Sequence, residues 1–256
     1  MGQASTSDVS ADYPADLYAA LHTGNEGDVA FYQSVCVGAN RVLELGCGSG
    51  RLLTALAEQV ADLHGVDSSE AALLLARQNV PESVELHHGP METFDVGAGF
   101  DRILIPFNGI YCLPDLDSVL RTFVQVEHAL AVGGLLVFDA YAGDPIHDDD
   151  SLEEGFDEEE EIATVVARGK RWTVFERSEY ERRTQRFTVD YRYLAEDDGE
   201  EIRATIRHRY LRLEEALEAL ESAGLEPLVA HGDFEQRVYD GDSEHMIITA
   251  RKTGPA

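Results

Sequence analysis

The feature that most constrains the fold is a glycine-rich segment between an apolar run and an amphipathic one. Residues 41–45 read R-V-L-E-L, residues 46–50 read G-C-G-S-G, and residues 51–60 carry leucines at helical spacing. A strand, a glycine turn and a helix in this order form the first half of a βαβ unit. The turn lets a ligand approach the backbone closely at the N-terminus of the helix. The segment therefore predicts a ligand-binding turn at the carboxyl end of a parallel strand.

Strand and helix patterns continue to alternate along the first half of the chain. Two short helices are expected within residues 11–38. Further strands are expected at 63–67, 84–87, 102–106 and 135–139, with helices at 69–78 and 116–131 and a helix stop at Gly133 and Gly134. This alternation predicts an α/β fold with a Rossmann-like, doubly wound, mostly parallel sheet.

The second half of the chain has a different pattern. Residues 145–161 carry ten acids and neither Lys nor Arg, which predicts a surface loop or a weak helix. Three runs rich in Thr, Val, Tyr and Phe between residues 170 and 210 predict an antiparallel meander. A helix at 213–223 and strands at 228–231 and 246–250 complete the sheet. We therefore expect a helical segment at 1–40 covering the site, a Rossmann-like domain at 41–144 and 211–256, and an inserted antiparallel β cap at 145–210.

The spacing of the glycines argues against a dinucleotide pyrophosphate as the ligand. The dinucleotide pattern GxGxxG requires its third glycine at position 51, where this chain has Arg. Glu44 lies two residues before the first glycine, and a carboxylate there suits a cationic ligand. Asp67 ends the second predicted strand, where an acid can accept hydrogen bonds from both ribose hydroxyls. The turn and Asp67 meet at one crevice because the carboxyl ends of parallel strands lie together at the topological switch point.

Charge and cysteine content limit the partners. The formal net charge is −29, and a surface this acidic repels the phosphates of nucleic acids. Solubility, or adaptation to a salty cytoplasm, explains the acidity better than attraction of a cationic substrate does. The three cysteines indicate reduced thiols. Since no secretory signal or membrane-spanning apolar run is visible, we expect a cytoplasmic monomer or homodimer that acts on a small molecule.

Four motifs together resemble the class I S-adenosylmethionine-dependent methyltransferases: E-L-G-C-G-S-G, G-V-D-S-S, I-P-F-N and L-A-V-G-G-L-L-V-F-D. The resemblance covers residues 13–141 and implies S-adenosylmethionine as the cofactor. It assigns the glycine loop to the methionine part, Glu44 to loop orientation and the cofactor's amino group, and Asp67 to the ribose. The implied cofactor-binding residues are Glu44, Gly46, Gly48, Ser49, Gly50, Asp67, Ser68, Met91 and Phe107. Of these, Ser68 and Met91 are expected beside the adenine.

One departure from the family pattern concerns the adenine. Relatives often carry Gly-Asp-Met after the third strand, where the Asp accepts from the adenine amine, whereas this chain has Gly89-Pro90-Met91. Pro90 has no carboxylate, so the contact is expected to be lost or to move to Glu92 or a backbone carbonyl.

The residues expected around the acceptor come from strand ends and from the N-terminal helices. Those expected to take part in catalysis are Asn108, Tyr18, His22 and Tyr111. Tyr13, Asp139 and Tyr141 are expected at the same rim, and His147 is a second candidate base. A general base is needed only if the acceptor arrives protonated.

No metal site is expected. His87 and His88 are adjacent, and no further ligands lie near them at the spacing of a zinc site. The acidic runs at 148–150 and 157–161 lack the glycine-containing loop of a calcium site.

The function predicted by these features is transfer of a methyl group, by in-line displacement, to an N or O atom of a small molecule. The acidic segment favours an amine. Two alternatives stay open: a non-catalytic protein that binds S-adenosylmethionine, which Pro90 favours, and an NAD-dependent dehydrogenase, which Glu44 and Arg51 disfavour.

Overall fold

The structure is a computed structural model that describes residues 13–152 and 155–254. The larger sheet consists of the strands β1 (Arg41–Leu45), β2 (Asp62–Asp67), β3 (Glu85–His88), β4 (Phe100–Ile105), β5 (Leu130–Tyr141), β11 (Leu225–His231) and β12 (His245–Lys252). The smaller sheet consists of β6 (Gly155–Phe156), β7 (Glu160–Ala167), β8 (Lys170–Glu181), β9 (Arg186–Ala195) and β10 (Glu201–Arg209). The helices are α1 (Ala15–Leu21), α2 (Asp28–Val35), α3 (Arg51–Leu56), α4 (Glu70–Asn79), α5 (Leu116–Ala129), α6 (Gly143–Asp148) and α7 (Leu213–Ser222), with short 3-10 turns at Gly109–Cys112 and Arg182–Thr184.

The larger sheet has the order β11-β12-β5-β4-β1-β2-β3. Strands β1 to β5 pair in parallel, and β12 runs antiparallel between β5 and β11. The chain leaves β1 toward β2 on one side and reaches β4 on the other, so β1 borders the topological switch point. Ligands of such sheets bind outside the carboxyl ends of the strands at that point. The predicted α/β class with a Rossmann-like, mostly parallel sheet is confirmed.

Strand β1, inside the sheet, shows why this sheet is stable. Residues 42–45 of β1 are at most 3% exposed, and all but Glu44 are apolar. Helices cover both faces, which is the usual arrangement for a parallel sheet. Ser69 caps α4 as predicted, because its hydroxyl accepts a hydrogen bond from the Ala72 amide at 3.2 Å.

The smaller sheet is the predicted antiparallel meander. Its three long strands, β8 to β10, pair in register with one another, and α1 packs against them. Trp172 and Tyr193 lie in the core between them, fully buried. An ion pair from Arg168 to Asp16 ties the β7–β8 turn to α1. The N-terminal helix is therefore attached to the meander on one side of the crevice.

Two sequence expectations need correction. Helix α3 ends at Leu56 rather than at residue 60. Gly133 and Gly134 do not end α5, because β5 already starts at Leu130, and the register between β4 and β5 shifts at this point. A Cβ on Gly134 would lie 2.7 Å from the Phe100 carbonyl oxygen, so the close approach of β4 explains that glycine.

The acidic segment is more regular than expected. Helix α6 extends into its first residues, and its last acids begin strand β7, which the sequence did not predict. Among the described strands, β7 pairs only with β8. Most of its residues are exposed, so its sequence shows little alternation between apolar and polar residues.

Candidate functional site

A cavity of about 790 Å³ lies between the glycine turn, the strand ends of the larger sheet, helix α1 and the inner face of the meander. The turn after β1 forms one end of its wall, and β9 and β10 form the other. The cavity is large enough for a nucleoside-sized ligand together with a second small molecule.

The glycine turn presents its backbone to this cavity. Gly46 and Gly48 have φ angles of 73° and 53°, a region that glycine enters without steric cost. A Cβ on Gly48 would meet no atom within 4 Å, so the turn leaves space beside it. The amides of Gly46 and Cys47 both donate to the Val66 carbonyl at 2.8 and 3.0 Å, which fixes the turn to β2.

Glu44 supplies a buried carboxyl next to the turn. It is 3% exposed, and its Oε2 has no hydrogen-bond partner among the described residues. Burial raises its pKa to about 8, although the nearby Arg51 guanidinium acts in the opposite direction. An orphaned carboxyl oxygen on a cavity wall fits a cationic group of a ligand.

Asp67 holds the turn and borders the cavity. Its Oδ2 accepts a hydrogen bond from the Gly48 amide at 2.7 Å, and its Oδ1 accepts from the Ser69 amide at 2.8 Å. A carboxylate oxygen can accept more than one hydrogen bond, which is the chemistry that the vicinal hydroxyls of a ribose require. The carboxylate therefore fits both loop support and sugar binding.

The structure explains why position 51 is Arg. Its guanidinium makes two hydrogen bonds to the Asp28 carboxylate, at 3.0 and 2.6 Å. Asp28 is 3% exposed at the start of α2, and a Cβ on Gly24 would collide with the same guanidinium. Arg51 thus anchors the segment between α1 and α2 beside the glycine turn. The role of Asp28 could not be predicted from the sequence, because nothing local connects it to residue 51.

Most of the predicted cofactor set lines the cavity. The residues on its wall are Glu44, Gly46, Gly48, Ser49, Asp67, Ser68, Met91, Glu92 and Phe107. Gly50 is not on the wall, because a Cβ there would point at Val80 and Ala76 of the neighbouring helix. Pro90 is also on the wall, close to Glu92.

The opposite end of the cavity is aromatic. Its side chains come from α1, from the segments after β4 and β5, and from the meander: Tyr13, Tyr18, His22, Phe107, Tyr141, Phe187, Tyr191 and His208. Alternate residues of β9 and β10 face the cavity, and Phe187 pairs directly with His208. The sequence analysis missed His208 although the alternation of β10 could have placed it beside Ile206.

Two imidazoles lie at this aromatic end. Burial lowers the pKa of His22 to about 4, and burial together with the proximity of His22 lowers the pKa of His208 to about 4. The Tyr13 hydroxyl is 3.3 Å from His22 Nε2. Both rings are therefore neutral at neutral pH, and each carries one nitrogen lone pair. In His22 this lone pair lies on Nδ1, open to a ligand, in the tautomer whose Nε2–H donates to Tyr13.

Asn108 and Tyr18 both line the cavity as expected. Asn108 has a φ of 62°, and its side-chain oxygen accepts a hydrogen bond from the Tyr141 amide at 2.8 Å. The left-handed conformation suits Asn and places the residue between the ends of β4 and β5. Asn108 thus shapes the wall where the two strand ends meet.

Three expected rim residues lie elsewhere. Tyr111 is fully buried outside the cavity wall, and its hydroxyl donates to the carbonyls of Tyr141 and Leu211. Asp139 is buried and accepts from the Tyr32 hydroxyl and the Phe107 amide. His147 lies on α6, outside the cavity wall, and its Nδ1 is 3.0 Å from the Tyr210 hydroxyl. These three side chains are therefore not on the cavity wall, where they were expected.

Comparison with known proteins identifies the kind of domain. Residues 42–134 match the family model described as "Methyltransferase domain". The dTDP-4-amino-2,3,4,6-tetradeoxy-D-glucose N,N-dimethyltransferase of Saccharopolyspora spinosa is 30% identical over 87% of this chain and 89% of its own length. The dTDP-3-amino-3,6-dideoxy-alpha-D-glucopyranose N,N-dimethyltransferase of Streptomyces fradiae is 31% identical over 50% of this chain and 54% of its length.

Solved structures share the whole architecture. The CcbJ methyltransferase from Streptomyces caelestis has a TM-score of 0.81 at 26% identity, covering 97% of this chain and 100% of that one. The S-adenosylmethionine-bound CalS10 amino pentose methyltransferase from Micromonospora echinaspora has a TM-score of 0.72 at 23% identity, covering 99% and 100%. No helix of the described residues is long and apolar enough to cross a membrane.

Proposed function

The chain belongs to the class I S-adenosylmethionine-dependent methyltransferases, and we propose that its acceptor is an amino nitrogen of a small molecule without phosphate groups. The observation that carries this proposal is the composition of the acceptor end of the cavity, which is aromatic and contains two neutral imidazoles. The cytoplasmic location and the monomeric or homodimeric state stay predictions.

The cofactor fits the turn end of the cavity. The orphaned Glu44 oxygen would accept from the amino group of the methionine part, and the open backbone beside Gly48 would lie under it. Asp67 would accept from the ribose hydroxyls, and Ser68, Met91 and Glu92 would surround the adenine. Bound S-adenosylmethionine supplies an electrophilic methyl group, from which an acceptor nitrogen displaces the sulfur in line.

We expect the affinity for S-adenosylmethionine to increase with pH between about 6 and 8. Below pH 8 the Glu44 carboxyl of the free protein holds a proton, and a cationic ligand must displace it. The association constant should therefore rise by up to roughly tenfold per pH unit in this window. Calorimetric titration across the window would measure the slope, and buffers with different ionisation enthalpies would report the released proton.

Glu44→Gln should remove this slope, because an amide has no proton to release. Glu92→Gln is the matched control: it changes another carboxyl on the same wall and should keep the wild-type slope. A wild-type affinity that does not change with pH would show that Glu44 does not contact the amino group.

The acceptor end suits an uncharged amine. Apolar surroundings favour the neutral amine over the ammonium ion, and only the neutral form has the lone pair that attacks the methyl group. His22 and His208 can each accept a hydrogen bond from an amine N–H and so direct the lone pair toward the cofactor. Tyr18, Phe107 and Asn108 lie on the same wall and would help to exclude water from the reacting atoms once both ligands are bound.

The charges on the wall argue against a diphosphate-linked acceptor. Among the described residues that line the cavity, the basic side chains besides histidine are Arg51 and Arg121. Arg51 is paired with Asp28, and Arg121 with Asp117 and Ser118. Glu44, Asp67 and Glu92 add negative charge to the same wall. Since binding a diphosphate would desolvate two charges without a cation committed to them, we infer an acceptor that is not linked to a nucleotide.

The test compares matched acceptors in an assay that measures S-adenosylhomocysteine. Amino sugars would be supplied both in free form and as their dTDP derivatives, with hydroxyl analogues of the free sugars as a third set. We expect methylation at nitrogen, with kcat/KM for the free amine roughly tenfold or more above that of the dTDP derivative. Preference for the dTDP derivative would refute the phosphate-free acceptor, and preference for the hydroxyl analogue would refute the amine.

A further inference from the structure

A second cluster of chemistry-bearing side chains lies outside the cavity, at the edge of the larger sheet. His64 belongs to β2, and Glu85 and His87 belong to the edge strand β3. His64 pairs in register with Glu85, and His87 follows Glu85 by two residues. Alternate residues of a strand share a face, so all three side chains lie on the same side of the sheet.

The spacing of their ligand atoms matches a metal site. His64 Nδ1 lies 3.2 Å from His87 Nε2 and 3.6 Å from Glu85 Oε2, and the third distance, from His87 Nε2 to Glu85 Oε2, is 3.8 Å. Tetrahedral zinc with bonds of about 2.0–2.1 Å separates its ligands by about 3.3–3.4 Å. Small side-chain rotations would bring the three atoms to equal distances from one ion.

A neighbouring carboxylate provides independent support. Asp62 Oδ1 is 2.8 Å from His64 Nε2, and Asp62 Oδ2 is 3.1 Å from the Arg41 Nε. A hydrogen bond from His64 Nε2–H to Asp62 leaves the lone pair on Nδ1, which faces His87 and Glu85. Metal-binding histidines usually have such a carboxylate on the opposite ring nitrogen, where it fixes the tautomer.

We propose that His64, Glu85 and His87 bind one Zn²⁺, with water as the fourth ligand. Glu85 is exposed and His87 is half-buried, so solvent can reach the fourth position. The ion would join β3, which pairs with β2 alone among the strands that the structure describes, to the strand that ends at Asp67. Its role is therefore to stabilise the sheet edge. The sequence analysis expected no metal because the second histidine ligand is remote in the chain.

Zinc binding would be measured on the full chain after chelator treatment and removal of any histidine tag. Excess Mg²⁺ would occupy exposed carboxylates, which prefer hard cations, without competing for imidazole. We expect one Zn²⁺ per chain, a higher melting temperature in its presence, and the visible absorption bands of tetrahedral Co²⁺ when cobalt replaces zinc.

Variants separate this site from adventitious binding. His87→Gln should weaken zinc binding by roughly tenfold or more, and Asp62→Asn should weaken it by about tenfold to a hundredfold through His64. His128→Gln changes an exposed histidine on α5 and should bind zinc like the wild type. No zinc binding, or equal zinc binding by His87→Gln and His128→Gln, would overturn the proposal. The contact between His64 and His87 would then be a direct hydrogen bond.

Discussion

Asp67→Ala should weaken the binding of S-adenosylmethionine by about a hundredfold. The substitution removes the acceptor of the Gly48 and Ser69 amides and the proposed acceptor of both ribose hydroxyls. Hydrogen bonds to a charged group contribute about 1.5–3 kcal/mol each, and each 1.4 kcal/mol changes affinity tenfold. Calorimetric titration with S-adenosylmethionine, S-adenosylhomocysteine and NAD would measure the effect. We expect no heat of binding for NAD.

Two further variants separate ribose binding from loop support and from charge. Asp67→Asn keeps one side-chain acceptor and should lose less affinity than Asp67→Ala. Glu82→Ala removes a negative charge from an exposed position before β3 and should leave the affinity unchanged. Unchanged affinity in Asp67→Ala would refute the ribose assignment, whereas an equal loss in Glu82→Ala would attribute the effect to net charge.

Local patterns predicted most of the fold because each element is stabilised by nearby residues. The apolar strand before the glycine turn, the Ser69 cap and the alternation in β9 and β10 all depend on residues close in sequence. Errors arose where a distant contact decides the structure. Position 134 is glycine because β4 lies too close to leave space for a side chain. Residues 160–167 form strand β7 because they pair with β8.

The residues that line the cofactor end of the cavity could be predicted from the sequence better than those that line the acceptor end. Glu44, Gly48 and Asp67 lie within one βαβ unit, so their spacing defines their geometry. His208 comes from β10, far along the chain, and only the folding of the meander over the strand ends brings it near His22. Tyr111 was misplaced for the converse reason, since a residue that follows a strand end can turn into the core.

The second prediction with a large expected effect concerns the two neutral imidazoles of the cavity, His22 and His208. We expect the double variant His22→Phe and His208→Phe to lower kcat by about a hundredfold or more, with little change in the affinity for S-adenosylmethionine. Phenylalanine fills the space and keeps the cavity apolar but cannot accept a hydrogen bond from the amine. Each single variant should show a smaller loss, because the other ring can still orient the nitrogen.

The pH profile distinguishes orientation by neutral rings from base catalysis by a titrating one. Both histidines lose their protons near pH 4, so neither should produce an inflection between pH 6 and 9. Turnover should instead rise with pH until the acceptor amine itself is deprotonated, and the inflection should move when the amine is exchanged for one of different pKa. His147→Phe, which changes an imidazole outside the cavity wall, should leave kcat unchanged. An inflection that stays fixed when the amine changes, and disappears in His22→Phe, would instead assign His22 as a titrating general base.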